Sequence, residues 1–398
     1  MNRPSLTALA LAAALAPGAA LAGDALPGDV ILESRLRLET IDQEGKPLDA
    51  EAVTLRTRLG WQSPELADFR LLLEMEAVAA PVDDYSDPVR PNPLRPTVAD
   101  PEIVELNRAQ VTWDGLPGAQ ITAGRQRLVF GNARYLGNSG WRQNEQTFDG
   151  VRLETKAFEP VSFTYAWAGR VNRPLGREHP DGVWHGDIHA LIAETGTPFG
   201  RLAGYGYLID LDETPALSSQ TFGLRLAGAR QVRDGLSATW EAEFARQGDY
   251  ADNPGDYTVD YQLLSAGLKA ERWSVGAVFE RLEGDGVHAF QTPLATSHGV
   301  QGWSDVIGAT PAFGVNDLFL KGELLVSVGL AKPLKLKAEA HDFRDSDGER
   351  RIGRELDLSA SIPVGKRWTL EAKAARFEGD LAGFSDTTKG WLIVEYRY

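Results

Sequence analysis

Charged and apolar residues alternate along most of the chain with a period of two. The segments Glu33–Glu39 and Val53–Trp61 show this alternation plainly. It predicts β-strands with one polar and one apolar face. The same pattern returns in five further segments: Phe69–Ala77, Leu334–Phe343, Leu356–Ile362, Arg367–Ala374 and Trp391–Tyr398. Helical periodicity is nearly absent, so the pattern predicts an all-β protein.

The pattern divides the chain into about 18 strands of roughly 9 to 13 residues, a length suited to tilted membrane strands. Their predicted starts are Asp29, Ala52, Asp68, Ile103, Gly118, Gln146, Pro160, His185, Gly200, Ser218, Gly235, Tyr257, Arg272, Asp317, Pro333, Arg354, Lys366 and Lys389. The odd-numbered connections are long: 41–51, 80–102, 130–145, 173–184 and 283–316. The even-numbered ones are tight, as at Asp114–Pro117 and Phe158–Pro160. Outer-membrane barrels combine short periplasmic turns with long external loops in this way.

The alternation also assigns the two faces of the predicted sheet. The residues expected to meet lipid are Leu36, Leu38, Leu55, Leu59, Leu71, Leu73, Leu320, Leu324, Val326, Leu336, Leu356, Leu358, Trp368 and Leu370. Their charged neighbours would line a polar lumen, and a closed sheet would satisfy every strand hydrogen bond. We therefore predict a transmembrane, antiparallel, up-and-down β-barrel. The alternative is a soluble two-sheet sandwich in which the apolar rows form the core.

Both ends of the chain carry export features. Arg3, the apolar run Leu6–Ala16 and the small residues Ala20–Ala22 predict a cleaved signal peptide over 1–22, followed by a barrel over 23–398. The last strand ends in an alternating apolar row (Leu392, Val394, Tyr396 and Tyr398), which resembles the C-terminal signal that the barrel assembly machinery recognises. Aromatic girdles are predicted at Trp61, Trp113, Trp273, Trp368 and Trp391. The expected location is the outer membrane of a Gram-negative bacterium, in contact with the lipid bilayer and lipopolysaccharide.

Composition excludes several functions. A formal net charge of −15 argues against a nucleic-acid partner. The absence of cysteine excludes disulfide scaffolds, cysteine-ligated zinc and thiol nucleophiles. The row His185, Asp187, His189 is expected to be a solvated lumen row. Ser139, Ser297 and His298 form no hydrolase motif, and Asp345–Glu349 predicts an acidic hairpin loop. No enzyme activity, cofactor, metal site or catalytic residue is predicted.

Two segments are longer and more distinctive than these patterns. The first, from Gly124 to Leu153, reads GRQRLVFGNARYLGNSGWRQNEQTFDGVRL; the second, from Phe290 to Gly322, reads FQTPLATSHGVQGWSDVIGATPAFGVNDLFLKG. Both resemble the alginate export family of outer-membrane proteins. The resemblance implies a monomeric 18-stranded barrel that passes an anionic uronate polysaccharide outward through an arginine-lined constriction, with periplasmic export partners.

The function predicted first is therefore a passive channel for secretion of an acidic, alginate-like exopolysaccharide. The alternative is a porin-like uptake channel for small acidic solutes or oligosaccharides; a third, less favoured, is an outer-membrane enzyme that uses lumen histidines. Residues predicted to line the pathway are Arg56, Arg58, Arg108, Arg125, Arg127, Arg152, Lys321, Lys335 and Lys337. Guanidinium groups there would bind carboxylates bidentately, or else pair with lumen acids. Residues predicted for a gate or for loop contacts are Asn132, Arg134, Asn138, Trp141, Arg142, Gln143, Gln301, Trp303 and Asp305.

Overall fold

A computed structural model describes residues 27–398, and these form one closed antiparallel barrel of 18 strands. The first half of the barrel consists of β1 (Asp29–Gln43), β2 (Ala50–Gln62), β3 (Phe69–Asp84), β4 (Ile103–Leu116), β5 (Ala119–Gln126), β6 (Thr147–Phe158), β7 (Val161–Asn172), β8 (Val183–Thr197) and β9 (Gly200–Ile209). The second half consists of β10 (Ser219–Arg233), β11 (Leu236–Asp249), β12 (Thr258–Ala270), β13 (Trp273–Leu282), β14 (Val315–Val326), β15 (Leu334–Arg344), β16 (Arg351–Val364), β17 (Trp368–Gly379) and β18 (Thr387–Arg397).

Each strand pairs with its sequence neighbours, and β1 pairs with β18 to close the sheet. This arrangement confirms the predicted up-and-down barrel and rules out the two-sheet sandwich. The helical content of the described residues is a single 3-10 turn, Pro215–Leu217. No helix in this range is long and apolar enough to cross a membrane.

Long and short connections lie at opposite ends of the barrel. At one end the strands are joined by longer loops, among them 85–102, 127–146 and 283–314; at the other, most joints are short, such as 117–118 and 159–160. Several loops are shorter than predicted, because β1 to β3 extend further: the first loop is 44–49 rather than 41–51. Asp345–Glu349 does form a hairpin loop, between β15 and β16.

The outward face of the barrel carries a belt of exposed leucines. Leu59, Leu320 and Leu356 are each at least half exposed. Such a belt is stable only in contact with hydrocarbon, because exposed apolar patches this large are rare on soluble proteins. Leu55 is an exception, since it is buried against Ala79 beside an irregularity in the β2–β3 ladder.

Aromatic side chains mark the short-turn end of this belt. Trp61, Trp113, Trp273 and Trp368 lie at the ends of their strands there, and Phe69 stacks on Trp113 with ring centroids 6.1 Å apart. Trp391 does not belong to this girdle. It points into the barrel and is buried, because an inserted loop covers it.

Candidate functional site

The β5–β6 loop (127–146) crosses the inside of the barrel from one wall to the opposite one. At one wall, the fully buried Gln143 accepts a hydrogen bond from Nε of Arg35, on β1, at 2.8 Å. At the other, the Tyr135 hydroxyl donates to Glu243, on β11, at 3.1 Å. In the closed strand order, β1 and β11 stand on opposite sides of the barrel. The loop therefore divides the lumen at this level.

The half of this loop that reaches β11 is held by apolar packing. Tyr135 and Leu136 are buried among inward side chains of β8 to β13, including Ile188, Tyr207 and Tyr261. The rings of Tyr135 and Tyr207 stack with centroids 5.0 Å apart. An inward apolar patch is unusual in a lumen that is otherwise polar, and its burial here fixes the loop to the wall.

The β13–β14 loop (283–314) packs against the β5–β6 loop. The backbone N–H of Gly137 donates to the carbonyl of Leu294 at 3.0 Å. Nη2 of Arg142 and a carboxylate oxygen of Asp305 are 3.0 Å apart. The two loops thus form one inserted unit, stabilised by backbone hydrogen bonds and by a partly buried ion pair.

A lysine on the barrel wall connects this unit to the last strands. The ammonium of Lys373, on β17, lies 3.9 Å from the ring centroid of Trp141 and 4.1 Å from that of Trp303. It also lies 5.5 Å from the Trp391 centroid and 2.7 Å from Nε2 of His298. Each face-on contact adds a cation–π attraction that strengthens when water is excluded. We call these five residues the Lys373 cluster.

The geometry of the Lys373 cluster fixes the protonation of His298. Its ring stacks on Trp141 with centroids 3.9 Å apart, and its Nδ1 lies 3.2 Å from Asp305. Burial lowers the pKa of His298 to about 3. Burial alone would raise the pKa of Asp305, but His298 and Arg142 hold it well below its usual value. The imidazole is thus neutral, donates from Nδ1 to Asp305 and accepts from Lys373 at Nε2.

A neutral buried histidine makes stability depend on pH. In the unfolded chain a histidine binds a proton as the pH falls below about 6.5, whereas folded His298 does not until about pH 3. Its contribution is therefore complete above pH 6.5 and is lost as the pH falls toward 3. Between pH 7 and pH 5 the unfolding free energy should fall by about 2 kcal/mol more in the wild type than in His298→Gln. Urea titrations in detergent micelles at both pH values measure this difference.

The matched control is His185→Gln, which changes an exposed histidine on the outer face. It should keep the wild-type pH dependence. An equal loss in wild type and His298→Gln would show that His298 is not the group responsible.

The predicted pathway arginines on β2 face inward, but wall acids bind them. Arg58 donates to Glu76 and lies 3.5 Å from Glu145. Arg56 lies 3.5 Å from Glu395 and 3.7 Å from Glu33, and both arginines are almost completely buried. These guanidinium groups form part of the wall rather than a free binding surface.

The other predicted pathway arginines that face inward are also paired. Arg108 binds both oxygens of Glu74, at 2.7 and 2.9 Å, and Arg127 binds Glu145 at 2.8 Å. Burial would raise the pKa of Glu145, but Arg58 and Arg127 lower it to about 2, so it is a carboxylate at neutral pH. Arg152 faces the lumen with Nε 3.2 Å from Glu154 and keeps part of its surface exposed.

Arg125 is not in the lumen, contrary to the prediction. It lies in register with Asp149 on the same face as Ala123 and Val151, and Val151 is exposed on the outside of the barrel. Asp149 binds the guanidinium with both oxygens, at 2.7 and 2.8 Å. Arg125 stands two positions after outward-facing Ala123 on β5, so the alternation along the strand places Arg125 outward as well.

Lysines provide the free positive charge of the lumen. A recess of about 410 Å³ in the wall of β11 to β15 is lined by three lysines (Lys269, Lys321 and Lys337) and three glutamates (Glu241, Glu323 and Glu339). None of these lysines makes an ion pair within residues 27–398, whereas Glu241 pairs with Arg225 and Glu323 with Lys335. Gly267 and Gly276, paired across β12 and β13, leave the space for it. Lys335 also faces inward, but its ammonium lies 3.7 Å from Glu323.

The predicted gate residues all lie in the two inserted loops. Asn132 accepts a hydrogen bond from the backbone N–H of Arg134 at 3.2 Å, and the buried Arg134 guanidinium lies 3.1 Å from Glu280. Arg134 and Gln301 line a second cavity of about 220 Å³ between the loops and β8. Trp141, Arg142, Trp303 and Asp305 make the contacts described above. The structure therefore brings together two sets of residues that lie far apart in the sequence.

The expected histidine row of β8 points out of the barrel instead of into it. Nδ1 of His189 lies 2.9 Å from the hydroxyl of outward-facing Tyr165, and His185 pairs with Glu213 at 2.7 Å. The inward positions of β8 hold apolar side chains such as Ile188, which pack under the β5–β6 loop. An enzyme that uses lumen histidines at these positions is therefore excluded.

Lys373 was predicted only as one of many lumen-facing charges, and Gln143 only as one of the gate or loop-contact residues. Alternation does place Lys373 on the inward face, but no local pattern indicates that three tryptophans surround it. Gln143 belongs to a loop segment with no periodicity at all. Only the tertiary contacts identify both residues as anchors of the inserted loops.

Comparison with known proteins extends the description of the fold. No protein-family model and no curated protein matches the chain. Among solved structures, it is similar to OccAB3 of Acinetobacter baumannii (15% identity, 93% of this chain and 99% of that chain, TM-score 0.70) and to OpdL of Pseudomonas aeruginosa (16%, 93% and 98%, 0.69). It is also similar to the outer membrane protein OpdK of Pseudomonas aeruginosa (10%, 93% and 99%, 0.70).

These matches correct the family resemblance drawn from the sequence. The matched structures are Occ and Opd barrels rather than alginate exporters, so the assignment to the alginate export family is wrong. An 18-stranded barrel fits both groups, which explains why the strand pattern did not separate them. At 10 to 16% identity, the likeness establishes that this chain shares the fold of outer-membrane barrel porins.

Proposed function

We propose that this protein is an outer-membrane porin for the uptake of small acidic solutes. The observation that carries the proposal is the β5–β6 loop, which spans the lumen and is anchored at both walls. An 18-stranded barrel would otherwise enclose a wide aqueous channel. A fixed crossing loop divides that channel into narrower passages, which favours small solutes over a polymer chain.

The unpaired lysines of the recess support an acidic substrate. The arginines of β2 and β4 are neutralised by neighbouring glutamates, whereas Lys269, Lys321 and Lys337 keep their positive charge facing the recess. An ammonium on a flexible stem can follow a moving carboxylate without holding it in one geometry. Weak attraction of this kind favours entry and also permits release.

The test is ion selectivity in planar bilayers. In a salt gradient, the wild-type channel should prefer anions, and Lys321→Gln combined with Lys337→Gln should shift the reversal potential toward cation selectivity. In liposome swelling, a small carboxylate should enter several-fold faster than a neutral sugar of equal size, and the double variant should remove most of that difference. Lys366→Gln, at the turn end of the barrel, is the control. Equal rates for the acidic and the neutral solute in the wild type would contradict the proposal.

The outward face supports placement in an outer membrane. Above the leucine belt, at the long-loop end, it carries ion pairs such as Arg246–Asp260 at 2.8 Å and Arg351–Asp342 at 2.7 Å. Such a polar collar suits the lipopolysaccharide headgroups that would surround the external loops. The signal peptide predicted over 1–22 lies outside the described residues. Recognition of the last strand by the assembly machinery remains a prediction, as do periplasmic partners.

A further inference from the structure

We propose that His341, Glu339 and Asp357 bind a divalent transition-metal ion of the zinc class in the barrel wall. His341 and Glu339 face inward from β15, and Asp357 is the ladder partner of Glu339 on β16. One ligand atom from each lies within 4.8 Å of the others. Two carboxylates and an imidazole are ligands that such ions bind readily.

The distances within this set suit a shared ion better than direct hydrogen bonds. Nε2 of His341 lies 3.7 Å from Oε2 of Glu339 and 3.6 Å from Oδ2 of Asp357. Both separations are too long for a hydrogen bond. Ligands about 2.0 to 2.1 Å from a tetrahedral zinc are roughly 3.3 Å from one another, so a small movement would complete the site.

Nε2 of His341 is aimed at these two carboxylates and has no hydrogen-bond partner among the described residues. Its other ring nitrogen, Nδ1, lies 3.0 Å from both oxygens of Asp317. Asp317 on one nitrogen orients the ring, and a metal that binds the other nitrogen would displace its proton. The ring is also held between Phe319 and Phe343, with centroids 4.4 and 5.3 Å away. The histidine is thus pre-oriented as a ligand.

Burial and charge favour a bound cation at this position. The carboxylates of Asp317, Glu339 and Asp357 surround the imidazole of His341. The side chains of His341, Asp317 and Asp357 are at most 2% exposed, so water is nearly excluded from these charges. Glu339 is 19% exposed and gives the site an opening toward the lumen.

The proposed site also supports the inserted β13–β14 loop. Nε1 of Trp303 donates to Oε2 of Glu339 at 3.1 Å, and its backbone N–H donates to Oδ2 of Asp357 at 3.2 Å. A carboxylate oxygen can accept a hydrogen bond and coordinate an ion at the same time. The ion would therefore hold two of the three carboxylates to which Trp303 is bound; the third is Glu355, which accepts from the same backbone N–H at 2.5 Å.

The experiment is calorimetric titration of the folded, detergent-solubilised protein with Zn²⁺ at neutral pH, repeated with Co²⁺ to record visible ligand-field bands. The wild type should bind one ion per chain. His341→Gln and Glu339→Gln should each weaken binding at least 100-fold and remove the bands, and Asp317→Asn should weaken it about 10- to 100-fold. His185→Gln should bind as the wild type does.

Three results would overturn the proposal: no binding by the wild type, binding unchanged in both His341→Gln and Glu339→Gln, or binding lost in His185→Gln. Glu339→Gln changes a partly exposed side chain and keeps its shape. It therefore tests the site even if His341→Gln fails to fold. The titration does not depend on transport, so its outcome is separate from that of the proposed function.

Discussion

Replacing residues 132–144 with a flexible Gly-Ser linker should increase single-channel conductance several-fold. This segment contains both Tyr135 and Gln143, the two anchors by which the β5–β6 loop crosses the lumen. Without them the linker is not held across the channel, and the part of an 18-stranded barrel that it crossed becomes open to solvent. Conductance in planar bilayers measures the change, and the anion preference due to the lumen lysines should remain.

The control for this change shortens 328–332, an exposed segment of the β14–β15 connection at the opposite end of the barrel. Its conductance should equal that of the wild type. Heat-dependent gel migration confirms that both variants form closed barrels. A loop replacement that folds but conducts no more than the wild type would show that the β5–β6 loop does not limit the passage.

Arg58→Ala should reduce the free energy of unfolding by about 3–5 kcal/mol, because it leaves buried carboxylates without their counter-charge. The Arg58 side chain is only 5% exposed and lies against Glu76, Glu145 and Glu33. The first two of these acids are fully buried at the side chain. Urea unfolding followed by tryptophan fluorescence measures the loss, and adding Glu76→Gln to Arg58→Ala should recover part of it.

Arg201→Ala is the matched control. Arg201 pairs with Glu194 at 3.3 Å, but its side chain is 67% exposed. Exposed pairs of this kind contribute about 0–1 kcal/mol. If the two alanine variants lost similar stability, the buried network around Arg58 would not be the stabilising feature that its burial indicates.

The fold could be predicted almost completely from the sequence, because a membrane barrel imposes a strict period of two on each strand. Predicted and observed strand starts differ by at most three positions, as for Arg354 against Arg351 and for Ala52 against Ala50. Arg125 and the histidine row of β8 were assigned to the wrong face, and other errors concern side chains that depend on covering contacts. Trp391 was expected at the membrane interface, but the inserted loop makes an inward position apolar and buries it.

The candidate site was only partly predictable. Alternation correctly placed Arg56, Arg58 and Lys321 inward, yet it contains no information on which charges pair with one another. Long-range contacts such as those of Arg58 with Glu145 depend on where a loop without periodicity folds. For the same reason, the distinctive sequences of the two loops did not show that one of them crosses the lumen.

The β5–β6 loop also connects the two ends of the polypeptide. The carbonyl of Trp141 accepts hydrogen bonds from Arg35 and Arg37 on the first strand, while its ring packs against Trp391 on the last strand, with centroids 5.6 Å apart. A segment from the middle of the chain thus braces the seam where the barrel closes. During biogenesis, Trp141 can contact both strands only when the first and last strands meet. The width of the channel is therefore fixed in the same step that closes the barrel.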